Sequence, residues 1–302
     1  MKRIQITYFR KRIFRVAASI LIIAAIIIFV RAFISSLFVG GRDSISVVVF
    51  DNNPSYYILG LSDKINYFIP FAADAKIIVP GGYKNYRFGA LGKLVELEKN
   101  PDLYRRAFAS ATSTFTNYYF YTPKTEIYYG RQVPQTTTLP SILKLMTYKS
   151  NASFFDRIFI AFAFIGRDKA DFTLMDQFAK GVGRSDKFFQ GHDFAKSLQG
   201  YFYRRTYRNE NKTVQIKYTK SYLTAATVGQ IIEGNGIRVV DLGEVSDMKV
   251  KRCLVIESGG KYSHTARDIA QYFACGLSQG DASISDIIVE LGSQTEQDWN
   301  VE

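Results

Sequence analysis

The sequence predicts an α/β protein of the α+β type, in which an N-terminal transmembrane helix precedes a mixed α/β domain and a smaller second domain. Three observations predict it. Residues 16–30 form an apolar run without a charged residue. Residues 46–200 mix the periodicities of strands and helices, and residues 213–294 follow the order β-α-β-β-α-β. With 302 residues, 47% of them hydrophobic, the chain can build both cores.

The apolar run at 16–30 predicts an uncleaved signal anchor. Six basic residues and no acidic residue stand ahead of it: Lys2, Arg3, Arg10, Lys11, Arg12 and Arg15. A helix over residues 13–39 would cross a hydrocarbon core of roughly 30 Å at about 1.5 Å per residue. By the positive-inside rule, residues 1–12 form a cytoplasmic basic tail. We therefore expect a single-pass protein of the cell membrane with its bulk extracytoplasmic.

Two other interpretations of this segment compete with the anchor. A cleaved signal peptide would have a shorter apolar run and a clear small-residue cleavage site. A buried core helix fits less well, because the run is apolar all round and follows six basic residues. The net charge of +12 includes seven basic residues from the first 41, so it predicts membrane topology and no nucleic-acid partner.

Residues 46–200 are predicted to form the first extracytoplasmic domain. Strands are indicated at 47–50, 56–61, 76–79 and 118–121, and helices at 90–99 and 103–111. The basic and aromatic stretch 201–212 is predicted to be a linker. Residues 153–165 are intensely apolar, and we favour a buried core helix there. The alternative is a hydrophobic groove or a membrane-resting face that holds a lipid tail.

Residues 213–294 are predicted to form the second domain, and residues 295–302 a tail. Strands are indicated at 213–218, 237–242, 253–257 and 284–292, and helices at 222–233 and from Ser263 onward. One apolar stripe of the second helix contains Ala266, Ile269, Ala270, Phe273 and Ala274. Gly276 suits a left-handed cap after it. The order is the split βαβ arrangement of ferredoxin-like folds.

The two cysteines are predicted to meet. Cys253 begins the third strand of this domain and Cys275 ends its second helix, so the reversal of the chain brings them near each other. Disulfides persist outside the cytosol, and we favour a bridge over two buried free thiols. A zinc site built from Cys and His would also need His192 and His264, and these positions match no usual ligand spacing.

Residues 214–292 resemble the LytR C-terminal domain. The similarity lies in the strand VQIKY, an Ala-rich helix, the run Gly-Ile-Arg-Val-Val-Asp at 236–241, a second helix and a final strand ending Glu-Leu-Gly at 290–292. The family usually has Asn-Gly after its first strand, where this chain has TKSYLT at 219–224. That module typically follows a catalytic domain, so residues 46–200 resemble a diverged LytR-CpsA-Psr (LCP) domain.

The resemblance implies a chemistry whose expected residues are not found. Active LCP proteins transfer polyprenyl-linked glycopolymers to peptidoglycan, using several Arg, acidic residues and a divalent metal. The expected Pro-Arg-Asp run is replaced by Val-Pro-Gly-Gly-Tyr at 79–83. No catalytic, cofactor-binding or metal-binding residue is therefore assigned. A candidate anionic-ligand surface consists of the basic residues Lys84, Arg87, Lys93, Arg105 and Arg106.

The sequence favours a non-catalytic binding or scaffold protein in cell-wall biogenesis. Its expected partners are the membrane and a cell-wall glycopolymer, a polyprenyl lipid or another envelope protein, and no cofactor is expected. The alternative is an active LCP-type phosphotransferase, which would use Mg²⁺. A pocket of residues 46–200 lined by four or more Arg and Asp side chains would favour that alternative.

Overall fold

The computed structural model describes residues 2–302 except 123–125, 131–135, 176–199, 249 and 283, and it describes side chains from residue 18 onward. The six basic side chains ahead of the apolar run, and His192, therefore lie outside the described part. The described residues form a six-stranded sheet, a five-stranded sheet and a two-stranded hairpin, together with helices. This confirms a mixed α/β protein.

The first helix, α1, spans Lys2–Ile34. Its described side chains from Ile20 to Ile34 are largely exposed, including Leu21 at 71% and Ile28 at 68%. Within the described part of the chain, no helix has the length and apolarity needed to cross a membrane.

The six-stranded sheet forms the centre of the first unit, in the order β7-β6-β1-β2-β3-β8. Its strands are β1 (Ser44–Phe50), β2 (Ser55–Gly60), β3 (Asn66–Pro70), β6 (Tyr118–Tyr121), β7 (Lys149–Ser150) and β8 (Phe172–Leu174). Strand β1 pairs antiparallel with β2 and parallel with β6. The strands predicted at 47–50, 56–61 and 118–121 are confirmed.

Helices cover both faces of this sheet, which explains why β1 is apolar without alternation. The helices are α2 (Leu91–Glu98), α3 (Asp102–Thr112), α4 (Ile142–Thr147) and α5 (Phe154–Ile165). Val48 and Phe50 join the core with Phe108 of α3, whereas Val47 joins the opposite core with Ile160 of α5. The predicted helices at 90–99 and 103–111 are confirmed within one residue at each end.

The prediction that residues 153–165 form a buried core helix is confirmed for one face of α5, whereas the other face is exposed. Ile160, Ala161 and Phe164 are buried. Phe154 and Phe162 remain 63% and 64% exposed. The sequence could not separate these faces because the run is apolar all round.

A separate hairpin connects the first unit to the C-terminal end of the chain. It pairs β4 (Lys76–Val79) with β5 (Lys84–Arg87). Gly81 and Gly82 lie in its turn with φ of 102° and 81°, values that favour glycine. Their N–H groups donate to the carbonyl oxygen of Asn300 at 2.7 and 3.0 Å. These amides therefore serve the fold, not a phosphate.

A short helix, α6 (Arg205–Glu210), occupies the segment predicted as a linker. Tyr207 is 2% exposed and shares a core with Ala109 and Phe115 of the first unit. The segment is thus packed between the two sheets.

The second unit contains the five-stranded sheet, in the order β10-β9-β13-β11-β12. Its strands are β9 (Thr213–Tyr218), β10 (Arg238–Glu244), β11 (Cys253–Glu257), β12 (Gly276–Gln279) and β13 (Ile287–Leu291). Its helices are α7 (Tyr222–Glu233), α8 (His264–Phe273) and α9 (Ser293–Asp298). The four predicted strands and both predicted helices are present.

The predicted ferredoxin-like order of this sheet is wrong. Strands β9 and β10 are direct parallel neighbours, and so are β11 and β12. Neither βαβ unit is therefore split, and β13 lies between them. The reason is an additional strand: Gly276 begins β12 instead of capping α8, and Ala274 takes the left-handed conformation with φ 56°.

Residues 295–302, predicted as a tail, pack against the second unit. Trp299 is 2% exposed and lies 5.2 Å from Phe273 between ring centroids. The buried Glu296 accepts hydrogen bonds from the backbone N–H groups of Thr219 and Lys220 at 2.6 and 3.1 Å. This carboxylate holds the loop that follows β9.

The predicted disulfide is confirmed. Cys253 and Cys275 are bonded, with their Cα atoms 4.6 Å apart. The bridge joins the start of β11 to the residue before β12, and it closes a loop with a sequence separation of 22. In the chain-entropy account such a loop contributes about 3 kcal/mol.

Candidate functional site

A polar cavity of about 560 Å³ lies where the end of α1, the entry to β6, α6 and α8 come together. We call it the junction cavity. The charged residues among those that line it are Arg42, Asp43, Arg105, Asp156, Arg204 and Asp268, together with His264. The three arginines and three aspartates balance in formal charge. The cavity is therefore strongly polar without a large net charge.

Arg204 provides a desolvated cation in this cavity. Its side chain is buried, its Nη2 donates to Asn117 Oδ1 at 2.9 Å, and its Nη1 donates to Tyr207 Oη at 3.2 Å. The guanidinium carbon also lies 5.9 Å and 5.6 Å from the ring centroids of Phe115 and Tyr207. Among the described carboxylates, none forms an ion pair with it. Ring faces and neutral acceptors thus stabilise this charge.

Tyr207 connects Arg204 to a carboxylate. The Tyr207 hydroxyl donates to Asp268 Oδ2 at 2.7 Å. Burial is the main cause that raises the pKa of Tyr207; Arg204 opposes the shift and Asp268 adds to it. The hydroxyl therefore stays protonated and keeps Asp268 oriented along the cavity wall.

Two further aspartates connect the segment that follows α1 to the rest of the fold. Asp156 Oδ1 accepts from the N–H of Leu37 at 2.8 Å, and its Oδ2 accepts from the Ser153 hydroxyl at 2.8 Å. Asp43 Oδ2 accepts from the backbone N–H and the hydroxyl of Thr206 at 2.6 and 2.5 Å. These bonds attach the exit of α1 to both α5 and α6.

Arg42 is the more accessible cation of the cavity. It is half-buried, and its Nη2 donates to Gln271 Oε1 at 3.3 Å. No ion pair with a described carboxylate restrains it. A bound anion or hydroxyl group can therefore receive its hydrogen bonds at little cost.

By contrast, the guanidinium group of Arg105 is already hydrogen-bonded to neighbouring residues. Its Nε and Nη2 donate to both oxygens of Asp102 at 2.6 and 2.9 Å, and its Nη1 donates to the carbonyl of Tyr272. Burial alone would lower the pKa of Arg105, but the hydrogen bonds to Asp102 outweigh it and raise the pKa. Arg105 thus joins α3 to α8.

The other residues of the predicted anionic-ligand surface are distributed over the first unit. Arg106 donates to the carbonyl of Asp298 and lies 3.3 Å from Asp102. Lys93 pairs with Glu96 at 2.7 Å, whereas Lys84 and Arg87 are exposed on β5. Of the five, only Arg105 lines the junction cavity.

The sequence did not reveal the remaining cavity residues. Of the six Arg and Asp side chains that line the junction cavity, only Arg105 and Asp156 belong to residues 46–200, so this cavity is not the pocket expected for an enzyme within that domain. Arg204 stood in a stretch interpreted as a linker, and Asp268 lies on a helix predicted for its apolar stripe. Within the described part of the chain, no three His, Cys, Asp or Glu side chains group as metal ligands.

Comparison with solved structures finds low similarity to TagT proteins. The crystal structure of B. subtilis TagT has 12% identity and a TM-score of 0.24, covering 80% of this chain and 95% of that one. The LytR-CPS2A-psr family protein YwtF (TagT) with bound octaprenyl pyrophosphate lipid has 10% identity and a TM-score of 0.24, with coverages of 78% and 92%.

A third structure, TagT bound to LI-WTA, has 13% identity and a TM-score of 0.23, covering 27% of this chain and 34% of that one. This chain therefore spans about a third of the length of that protein in the alignment. No family model and no curated protein sequence matches the chain. With TM-scores this low, the likenesses assign neither a fold nor a ligand.

Proposed function

We propose that this is a membrane-anchored, extracytoplasmic cell-envelope protein that binds the glycan part of a lipid-linked cell-wall glycopolymer without transforming it. The observation that carries the proposal is the junction cavity, which opens beside the exit of an apolar helix. Ser35, Ser36 and Leu37 line it directly after α1. A glycan attached to a lipid in the same bilayer would emerge at this level.

The chemistry of the cavity suits a polyhydroxylated ligand. Sugar hydroxyls both donate and accept hydrogen bonds, and the wall offers donors on Arg42 and acceptors on Asp268. Aromatic rings of Tyr118 and Tyr272 provide apolar area between the polar groups. The balanced formal charge fits a neutral or weakly anionic glycan better than a polyphosphate. The sequence resemblance to envelope proteins supports the same class of ligand.

Several features support a binding role over catalysis. Asp43 and Asp156 are occupied by backbone N–H groups, and Arg105 is occupied by Asp102. We derive no step through a divalent metal, because the described residues do not gather ligands for one. The cavity thus presents preformed hydrogen-bonding groups more than an activated nucleophile or base.

One observation favours an LCP-type phosphotransferase as a second candidate function. The cavity brings the two cations Arg42 and Arg204 to one wall region with Asp268, and a pyrophosphate is bound by such guanidinium groups.

One experiment separates these functions. The full chain in nanodiscs is titrated with a soluble, delipidated wall-glycopolymer oligomer, and separately incubated with a short polyprenyl pyrophosphate and Mg²⁺. We expect oligomer binding that weakens roughly 10- to 150-fold in Arg42→Gln, since a hydrogen bond to a charged group contributes about 1.5–3 kcal/mol. Arg208→Gln, an exposed change on α6 outside the cavity, is the matched control.

Two outcomes would contradict the proposal of glycan binding at this cavity. Oligomer binding that is identical in wild type and Arg42→Gln would remove the cavity as the glycan site. Phosphate release that requires Mg²⁺ and disappears in Asp268→Asn, but not in the exposed Asp281→Asn, would show cleavage of the pyrophosphate at the cavity and favour the phosphotransferase instead.

A further inference from the structure

Helices α4 and α5 present an exposed apolar surface that no described residue covers. Its members are Ile142 (50% exposed), Leu143 (71%), Met146 (37%), Phe154 (63%), Phe162 (64%) and Ile165 (57%). We call it the α4–α5 face. Contiguous apolar patches of this kind on a protein surface mark contacts with another protein or with a membrane.

The helical spacing shows that the exposure is built into the fold. On α5, Ile160 and Phe164 enter the core against the six-stranded sheet. Phe154, Phe162 and Ile165 lie on the opposite side, at positions i, i+8 and i+11. On α4, Leu145 is fully buried while the flanking Leu143 and Met146 point outward. The face is therefore formed by rigid, well-packed helices.

Helix α5 also contacts the end of α1. The ring of Phe155 lies 5.0 Å from that of Phe29 and 5.5 Å from that of Phe33, in edge-to-face geometry. Phe159 lies 5.2 Å from Phe38 in the same geometry. The exposed apolar side chains of α1 thus continue directly into those of α5. One apolar surface extends from the helix to the folded unit.

We propose that the α4–α5 face lies on the lipid bilayer, with its aromatic and aliphatic side chains in the headgroup region. This rests on the proposed anchoring by α1, since a membrane that surrounds residues 20–34 brings the adjoining α5 to the interface. Apolar side chains of an interfacial helix enter the boundary by about 5–10 Å. The occupant is therefore lipid, not a second protein.

This contact would set the orientation of the junction cavity. Asp156, on α5, lines the cavity and binds the N–H of Leu37 after α1. With α1 and α5 both held at the membrane, the folded unit cannot rotate freely about the anchor. The cavity, which is lined by Ser35, Ser36 and Leu37 directly after α1, is then held close to the lipid surface from which a lipid-linked glycan would arrive.

The test measures the depth of single side chains in the full-length protein. Phe162→Trp and Leu143→Trp are each reconstituted in phosphatidylcholine vesicles with and without brominated acyl chains. The native Trp299 is buried and serves as the background. We expect both added tryptophans to show blue-shifted emission and strong loss of emission to bromolipid. Leu97→Trp, on α2 and 66% exposed in the native chain, is the control that should keep its emission.

Each other result overturns the proposal. If the protein floats with the vesicles but both new tryptophans resemble Leu97→Trp, the anchor stands and the membrane contact of the face is refuted. If these tryptophans are shielded from bromolipid and the protein cross-links as a dimer, a second copy covers the face. If the protein fails to float with vesicles, the anchor fails and the membrane contact fails with it.

Discussion

Trp299→Ala tests whether the C-terminal segment belongs to the core of the second unit. Trp299 is 2% exposed, and its ring contacts Phe273 at 5.2 Å and Tyr272 at 6.2 Å between centroids. Truncating a buried aromatic side chain to Ala costs about 3–5 kcal/mol, because apolar contacts are lost and a cavity remains. For a folded body of this size, that corresponds to a fall in Tm of roughly 6–20 °C. Trp299→Phe should cost clearly less.

The assay is thermal unfolding of the detergent-solubilised full chain, followed by far-UV circular dichroism. Circular dichroism is chosen because Trp299 is the single tryptophan and its replacement removes the tryptophan fluorescence. Leu223→Ala, at a 53% exposed position of α7, is the control and should change stability by no more than about 0.5 kcal/mol. A cost below about 1 kcal/mol for Trp299→Ala would refute the packing of residues 295–302.

Three further predictions concern stability. Reducing the Cys253–Cys275 bridge should destabilise the protein by about 3 kcal/mol, and a double Ser variant should be insensitive to dithiothreitol in the same denaturation assay. Glu210 accepts from the backbone N–H of Thr265 at 2.8 Å; burial opposes its ionisation, but the hydrogen bonds from Thr265 and His264 lower its pKa. Its contribution is thus fully present above about pH 4.3 and is lost as the pH falls through the lowered pKa. Because solvent screens this partly exposed carboxylate, Glu210→Gln should be less stable than wild type at pH 7 by about 0.5 kcal/mol, and the difference should shrink as the pH is lowered in the same denaturation assay. Arg106→Met should cost about 1–3 kcal/mol in urea unfolding, because it breaks the contacts to Asp298 and Asp102 while nearly keeping the buried volume; no change would show that these contacts add no net stability.

Local sequence patterns were sufficient to predict most of the helices and strands. The alternation in 213–218 predicted β9, and Ser263 caps α8 by accepting from the N–H of Ala266, as a sequence-level start signal requires. The strand β12 was missed because Gly276 after a helix is usually a cap, and Leu-Ser-Gln that follows carries little apolar signal. Only its pairing with β11 makes it a strand.

The residues of the candidate site could not be predicted from local patterns. Arg105 and Arg204 are close in chemistry but were given opposite roles by their sequence neighbourhoods, one on a predicted ligand surface and one in a linker. In the fold Arg105 is neutralised by Asp102, three residues before it, whereas Arg204 is buried beside Asn117 and Tyr207. The contacts that hold the two side chains at the cavity, Arg105 with Tyr272 and Arg204 with Asn117, join residues that are far apart in sequence, and periodicity does not record them.

By itself, the sequence determined the apolar helix at the start, the α/β class and most of the helices and strands, because each depends on residues that are neighbours along the chain. The cysteine pair followed from the order of two such elements. The sequence did not predict the strands β3, β5, β7, β8 and β12 or the helices α4, α6 and α9. The tertiary structure alone decided the strand order of the second sheet, the packing of residues 295–302 and the junction cavity. These depend on which surfaces meet after folding. Arg42, Asp156, Arg204 and Asp268 come from four separate segments, and only the burial of the surrounding apolar surface brings them to one wall.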